Sequence, residues 1–204
     1  MPRPVFGRSS AAQAVARVTP LDRDRPLVAA ARRDPARFDA LYRKYLAQVY
    51  SFAFYELGDH HAAEDATERT FLHALGALPR FDERGDPGSG GSTFRVWLFR
   101  IAHNVIANER RSLARHRAAP LDDVAPPPDP IDLAGRVERR DDADRAWAAV
   151  ARLPAERRRA IVLRFVEEMS TSEIAGILGR SEGAVRILLH RAIRSVARDL
   201  GEGS

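Results

Sequence analysis

Apolar positions recur at helical spacing along most of the chain, and no segment alternates apolar and polar residues as a strand would. A short amphipathic helix is predicted from about Pro26, over PLVAAARR. A longer one starts near Pro35, with Phe38, Leu41, Tyr42, Tyr45, Val49, Phe52 and Ala53 recurring along it. Gly58 ends that helix and Asp59 caps the next, which runs to about Leu78 with Phe71, Leu72, Leu75 and Leu78 on one side. After the breaker-rich PRFDERGDPGSGGS comes a helix from about Thr93 to Arg115. Its Phe94, Trp97, Leu98, Ile101, Ala102, Val105 and Ile106 define a buried stripe. Arg100, His103, Asn104, Ala107, Arg110 and Arg111 form a second, polar stripe at the same spacing.

Further along, helices are predicted over about Asp141–Leu153, Ala155–Glu168, Thr171–Leu178 and Glu182–Asp199. Between the two helical blocks lies APLDDVAPPPDPIDL, with five prolines, four aspartates and no basic residue. Consecutive prolines cannot continue a helix and favour extended geometry. The expected organisation is therefore all-α: two small helical domains, at 25–117 and 141–200, joined by a flexible acidic Pro/Asp-rich linker at 118–140. Residues 1–24, with Pro2, Pro4 and Pro20, read as a disordered tail.

Charge narrows the class of partner. The net charge is +5, all basic residues but Lys44 are arginine, and the two helical blocks are basic while the connector is acidic. That balance suits phosphate-bearing partners without singling them out. Cysteine is absent, which excludes disulfides, thiol catalysis and zinc–thiolate sites and fits a reducing cytoplasm. No apolar run approaches the ~20 residues of a membrane span.

TSEIAGILGRSEGAVRILLHRA reads as two short helices around Gly179. Ser170 and Glu173 form a capping-box pair, Ile174, Ala175 and Leu178 give the first helix an inner face, and Ser181 can cap the second. Small Ala175 permits close approach, and Gly179 supplies the positive φ of a sharp turn. In the second helix Val185, Leu188 or Leu189, Ala192 and Val196 face inward. These are the demands of a DNA-binding helix-turn-helix, whose second helix enters the major groove.

FDALYRKYLAQVYSFAF, LGDHHAAEDATERTF and WLFRIAHNVIANERR, in that order, resemble region 2 of the extracytoplasmic-function (ECF) group of sigma-70-family sigma factors. LPAERRRAIVLRFVEEMSTSEIAGILGRSEGAVRILLHRAI resembles region 4 of the same group. The resemblance implies a cytoplasmic transcription initiation factor that binds core RNA polymerase and promoter DNA, restrained by an anti-sigma factor. It implies that Asp65, Glu68 and Phe71 contact the polymerase, the family usually having glutamine where Glu68 stands. Arg100, His103, Asn104 and Arg111 would face the minus-10 element, and the preceding loop would capture a flipped base. Ser181, Glu182, Arg186, Ile187, His190 and Arg191 would meet the minus-35 duplex, Arg186 as a bidentate guanine reader. Ile187 and Leu188 replace a small polar and a basic residue, which implies an altered promoter preference. The acidic linker would thread a polymerase channel.

Rival readings follow from single motifs. GDPGSGGST is similar to a phosphate loop but lacks the following lysine and a preceding strand. His61, Glu64 and Asp65 share a helix face at a helix start, where acids favour the dipole without any metal. The expectation is no enzyme, no metal and no cofactor. A stand-alone helix-turn-helix regulator is the nearer alternative, and it predicts a dimer matched to paired half-sites.

Overall fold

The computed structural model describes residues 20–82, 94–116 and 137–201. The tail before residue 20, most of the glycine-rich loop and residues 117–136 of the linker lie outside the described residues, so the readings made on them are not addressed by it. Every described element is helical.

Helix α1 spans Pro20–Arg33, starting six residues before the position read from the sequence, with Pro26 inside it. Residues 20–24, assigned to the tail, are thus helical. A tertiary contact accounts for the extension: Asp24 is buried, accepts a hydrogen bond from the Tyr45 hydroxyl and pairs with Lys44. A 3-10 turn at Pro35–Phe38 leads into α2, Asp39–Leu57. Gly58, at φ 70°, ends α2 with its amide donating to the Phe54 carbonyl, and Asp59 caps α3, His60–Ala77, by accepting from the Ala62 amide at 2.8 Å.

The face that α3 buries is not the leucine side. Ala63, Ala66, Thr67, Thr70, Phe71 and Ala74 are buried, while Leu72 and Leu75 are 58% and 37% exposed. Small residues at the seam let α3 approach α2 and α4 closely, and the leucines fall on the adjoining arc. Helix α4, Phe94–His116, buries its predicted stripe, with Trp97 and Ile101 only partly covered. It also buries Val96 and Phe99, the latter tilted against Phe52 at 5.6 Å. Burial on a second side of α4 has a cause beyond the first unit, since α4 also packs against α7.

In the second unit α5 spans Val137–Arg152, four residues into the segment assigned to the linker, and α6 spans Ala155–Ile161. Where one helix to Glu168 was predicted, the backbone widens into a π-helical segment, Val162–Val166. The Glu167 amide donates to the Val162 carbonyl, and Glu168 leaves the helix at φ 51°. That exit sends Met169 back into the core and sets up α7, Thr171–Leu178, followed by α8, Glu182–Gly201. Buried apolar side chains from both units join in one continuous cluster.

Candidate nucleic-acid and protein interfaces

The α7–α8 pair is built by its caps. The Ser170 hydroxyl accepts from the Glu173 amide at 3.2 Å, and Glu173 returns the bond to the Ser170 amide at 2.9 Å. Gly179 sits at φ 62°, ψ 38°, a left-handed conformation in which a side chain would be strained. Ser181 caps α8 by accepting from the Ala184 amide at 3.2 Å. Val185, Leu189 and Ala192 are buried, with Leu188 partly so, and these pin α8 against α7. The opposite face is open: Arg186, His190 and Arg191 are exposed, Ile187 is 55% exposed and Glu182 is half-buried. Arg186 lies 3.4 Å from Glu182, with both side chains largely in solvent. Exposed pairs of this kind are worth little, so Arg186 is free to reorient toward a base edge.

The polar stripe of α4 is only partly open. Arg100 and Asn104 are exposed, and Arg111 is exposed with its Nε donating to the Ala107 carbonyl at 3.2 Å. His103 is half-buried, with its Nε2 2.8 Å from Arg159 Nη1 of α6 and its Nδ1 3.3 Å from Asn104 Oδ1. A guanidinium only donates, so Nε2 is the acceptor and Nδ1 carries the proton. Burial, then the Arg159 charge, hold the ring below the ordinary histidine range. Arg110, from the same stripe, reaches Glu56 at 3.3 Å.

On the far side, α2 and α3 form an apolar groove of about 360 Å³. Phe71 is 4% exposed and forms part of the floor, edge-on to Tyr42 at 4.8 Å. Tyr42, Leu72 and Leu75 are the exposed apolar wall, and Glu64 and Glu68 supply the acidic rim. Asp65 is exposed on the same helix, 4.0 Å from Arg69, but does not line the groove. Arg69 also grips Glu109 at 2.6 Å, tying α3 to α4. Tyr42, Leu72 and Leu75 were missed as surface residues because apolar spacing alone reads as core. Their signal was an apolar stripe wider than one helix seam needs.

His61 and Glu64 are exposed and 3.7 Å apart. Among the described residues no group of three or more His, Asp or Glu is arranged to hold a metal ion, and no described helix is long and apolar enough to cross a membrane.

Family models described as sigma-70 region 2 and sigma-70 region 4 match residues 41–116 and 143–196. The chain is similar to the ECF RNA polymerase sigma factor SigL of Mycobacterium tuberculosis, 32% identical over 176 residues that cover 85% of this chain and 94% of that one. It is also similar to the ECF RNA polymerase sigma factor BldN of Streptomyces coelicolor, 31% identical over 163 residues, 79% of this chain but 59% of BldN. The solved structure of CnrH in complex with the cytosolic domain of CnrY superimposes with a TM-score of 0.63 at 26% identity, covering 89% of this chain and 99% of that chain.

Proposed function

Since this chain belongs to the ECF group of sigma-70-family sigma factors, we propose that it is a promoter-specific transcription initiation factor that carries core RNA polymerase to DNA in the cytoplasm. The observation that supports this most is the pairing of two matched regions, in order, with an open basic face on α8. A helix-turn-helix alone would suit a repressor equally well. The first unit adds an acid-rimmed apolar groove on one side and a polar helix face on another, which a repressor does not need.

In this reading α8 lies in the major groove of the minus-35 element. Arg186 reads a base, Ile187 meets a thymine methyl, and Ser181, Glu182, His190 and Arg191 complete the contact face. Arg100, His103, Asn104 and Arg111 of α4 serve the minus-10 element, the arginines on phosphates. Asp65, Glu68 and the groove over Phe71 receive a basic, apolar-faced helix of the polymerase, which is helix-in-groove recognition with an acidic rim. A cytosolic protein partner of the anti-sigma kind restrains the chain, as CnrY's cytosolic domain is found with CnrH.

The test is transcription in vitro with core polymerase purified from Streptomyces coelicolor and a randomised promoter library. Transcripts that depend on this chain and converge on a two-part sequence are expected. Tight promoter binding by a dimer without polymerase would establish the stand-alone regulator instead.

A further inference from the structure

Among the described residues four buried side-chain polar atoms have no hydrogen-bond partner: Glu56 Oε1, Arg158 Nε, Arg95 Nε and Glu167 Oε1. The first two face each other at 3.8 Å, so each sits in the field of the other. The other two belong to residues that line a second cavity, of about 360 Å³. It lies among α1, α2, the start of α4 and the chain that leaves the π-helical segment. Buried polar groups are normally partnered, so two orphans on one cavity wall call for a physical reason.

The backbone delivers Glu167 to that wall. The π-helical turn Val162–Val166 closes with the Glu167 amide on the Val162 carbonyl, and Glu168 then takes φ 51°. Turns of this kind, and left-handed residues other than glycine, concentrate at functional sites. Glu167 is 3% exposed; Ser51 gives its carboxyl group one hydrogen bond, and Oε1 is left over.

Charge on the lining is unbalanced. Asp24, Glu167 and Glu168 stand against Lys44 and Arg95. Lys44 is taken by Asp24 and Arg95 by Glu173 at 3.4 Å, which leaves Glu167 and Glu168 in excess. Burial pushes the Glu167 carboxyl up to about 7, and a cation set against it offsets the cost of ionising it. No described group of three or more His, Asp or Glu is arranged to hold a metal ion, so the complement is an organic cation. The Nε proton of Arg95 asks for an acceptor on the same molecule. The volume is at the low end of the ~300–1,000 Å³ of small-ligand sites, so that molecule is small.

We propose that this cavity binds a small primary ammonium compound with a hydrogen-bond acceptor next to its nitrogen, as in an amino-acid amide. The ammonium meets Glu167 and the acceptor meets Arg95, with Val166 offering an apolar contact to the rest of the ligand. The last torsion of a glutamate is soft, so the carboxyl group turns toward the bound cation at little cost.

L-valinamide is a suitable probe, titrated calorimetrically into the full-length chain at pH 7, where an α-amino group is mostly charged. Saturable binding is expected, and Glu167→Gln should weaken it by about tenfold or more. N-acetyl-valinamide, which keeps the acceptor and loses the ammonium, should not bind. In NMR spectra of the wild type the Gln48 side-chain amide and the Val166 methyls should shift on adding L-valinamide, and the Leu72 methyls should not. Those shifts locate the site even if the variant's fold changes. No saturation by about 10 mM, equal binding of the acetylated probe or equal binding by a folded Glu167→Gln chain overturns the inference. Shifts at Leu72 instead of Val166 overturn it as well. Binding is read on the free chain, so it stands or falls apart from transcription.

Discussion

Arg159 of α6 donates to Nε2 of His103 on α4 at 2.8 Å, which fixes that imidazole as neutral with its proton on Nδ1. Protonation would set two cations face to face beside Glu56, so burial and the arginine both lower the ring's pKa. The folded value is depressed, so this group's contribution to docking is present at neutral pH and fades as acid protonates the ring. Arg159→Ala removes the cation and uncovers the ring, and the titration of His103 should then move upward. Ring resonances followed by NMR across pH check this, and an unmoved titration would refute the assignment.

The groove between α2 and α3 separates stability from partner binding. Leu72 is 58% exposed, so Leu72→Glu should leave folding intact. It should weaken co-purification with core polymerase by roughly tenfold, because burying a leucine is worth about 1.5–3 kcal/mol. Phe71 is nearly buried, and Phe71→Ala should instead cost about 3–5 kcal/mol of stability. Denaturant melts beside pull-downs distinguish the two. Full co-purification by Leu72→Glu would remove the groove from the polymerase contact.

Arg186 is exposed on α8 and makes a weak, solvent-exposed pair with Glu182. Arg186→Ala should cost about 1–3 kcal/mol of promoter affinity and relax preference at one base pair. Affinities measured across a set of minus-35 variants check it. A uniform loss over every variant would make Arg186 a phosphate contact.

Glu167 is 3% exposed, its Oε1 has no hydrogen-bond partner, and burial pushes its carboxyl up to about 7 from an ordinary 4.5. A raised folded value means that the folded state holds this proton better than the unfolded chain does. Its contribution is therefore present below about pH 4.5 and lost as pH rises through about 7. The loss amounts to at most about 3 kcal/mol, at ~1.4 kcal/mol per unit. Glu167→Gln should be more stable than wild type above pH 7, with the difference shrinking toward pH 5. Urea melts at both pH values check this, and parallel pH profiles would contradict it.

Local chemistry along the chain was sufficient for the helix ends that carry their own caps. Gly58, Asp59, Ser170, Glu173, Gly179 and Ser181 act on backbone groups within a few residues, so spacing alone predicts their roles. The open face of α8 was legible for the same reason, as the complement of one amphipathic seam. What only the tertiary structure decided depends on which surfaces meet. Asp24 is buried and α1 lengthened because Lys44 and Tyr45 receive it across twenty residues of chain. Leu72 and Leu75 look outward because alanines and threonines already fill the seam of α3. His103 and Arg110 read as a solvated stripe in sequence, since nothing local reveals that Glu56 and Arg159, 103 residues apart, converge on them. Periodicity reports how many faces a helix buries, whereas the identity of the neighbour on each face is a long-range fact that packing alone supplies.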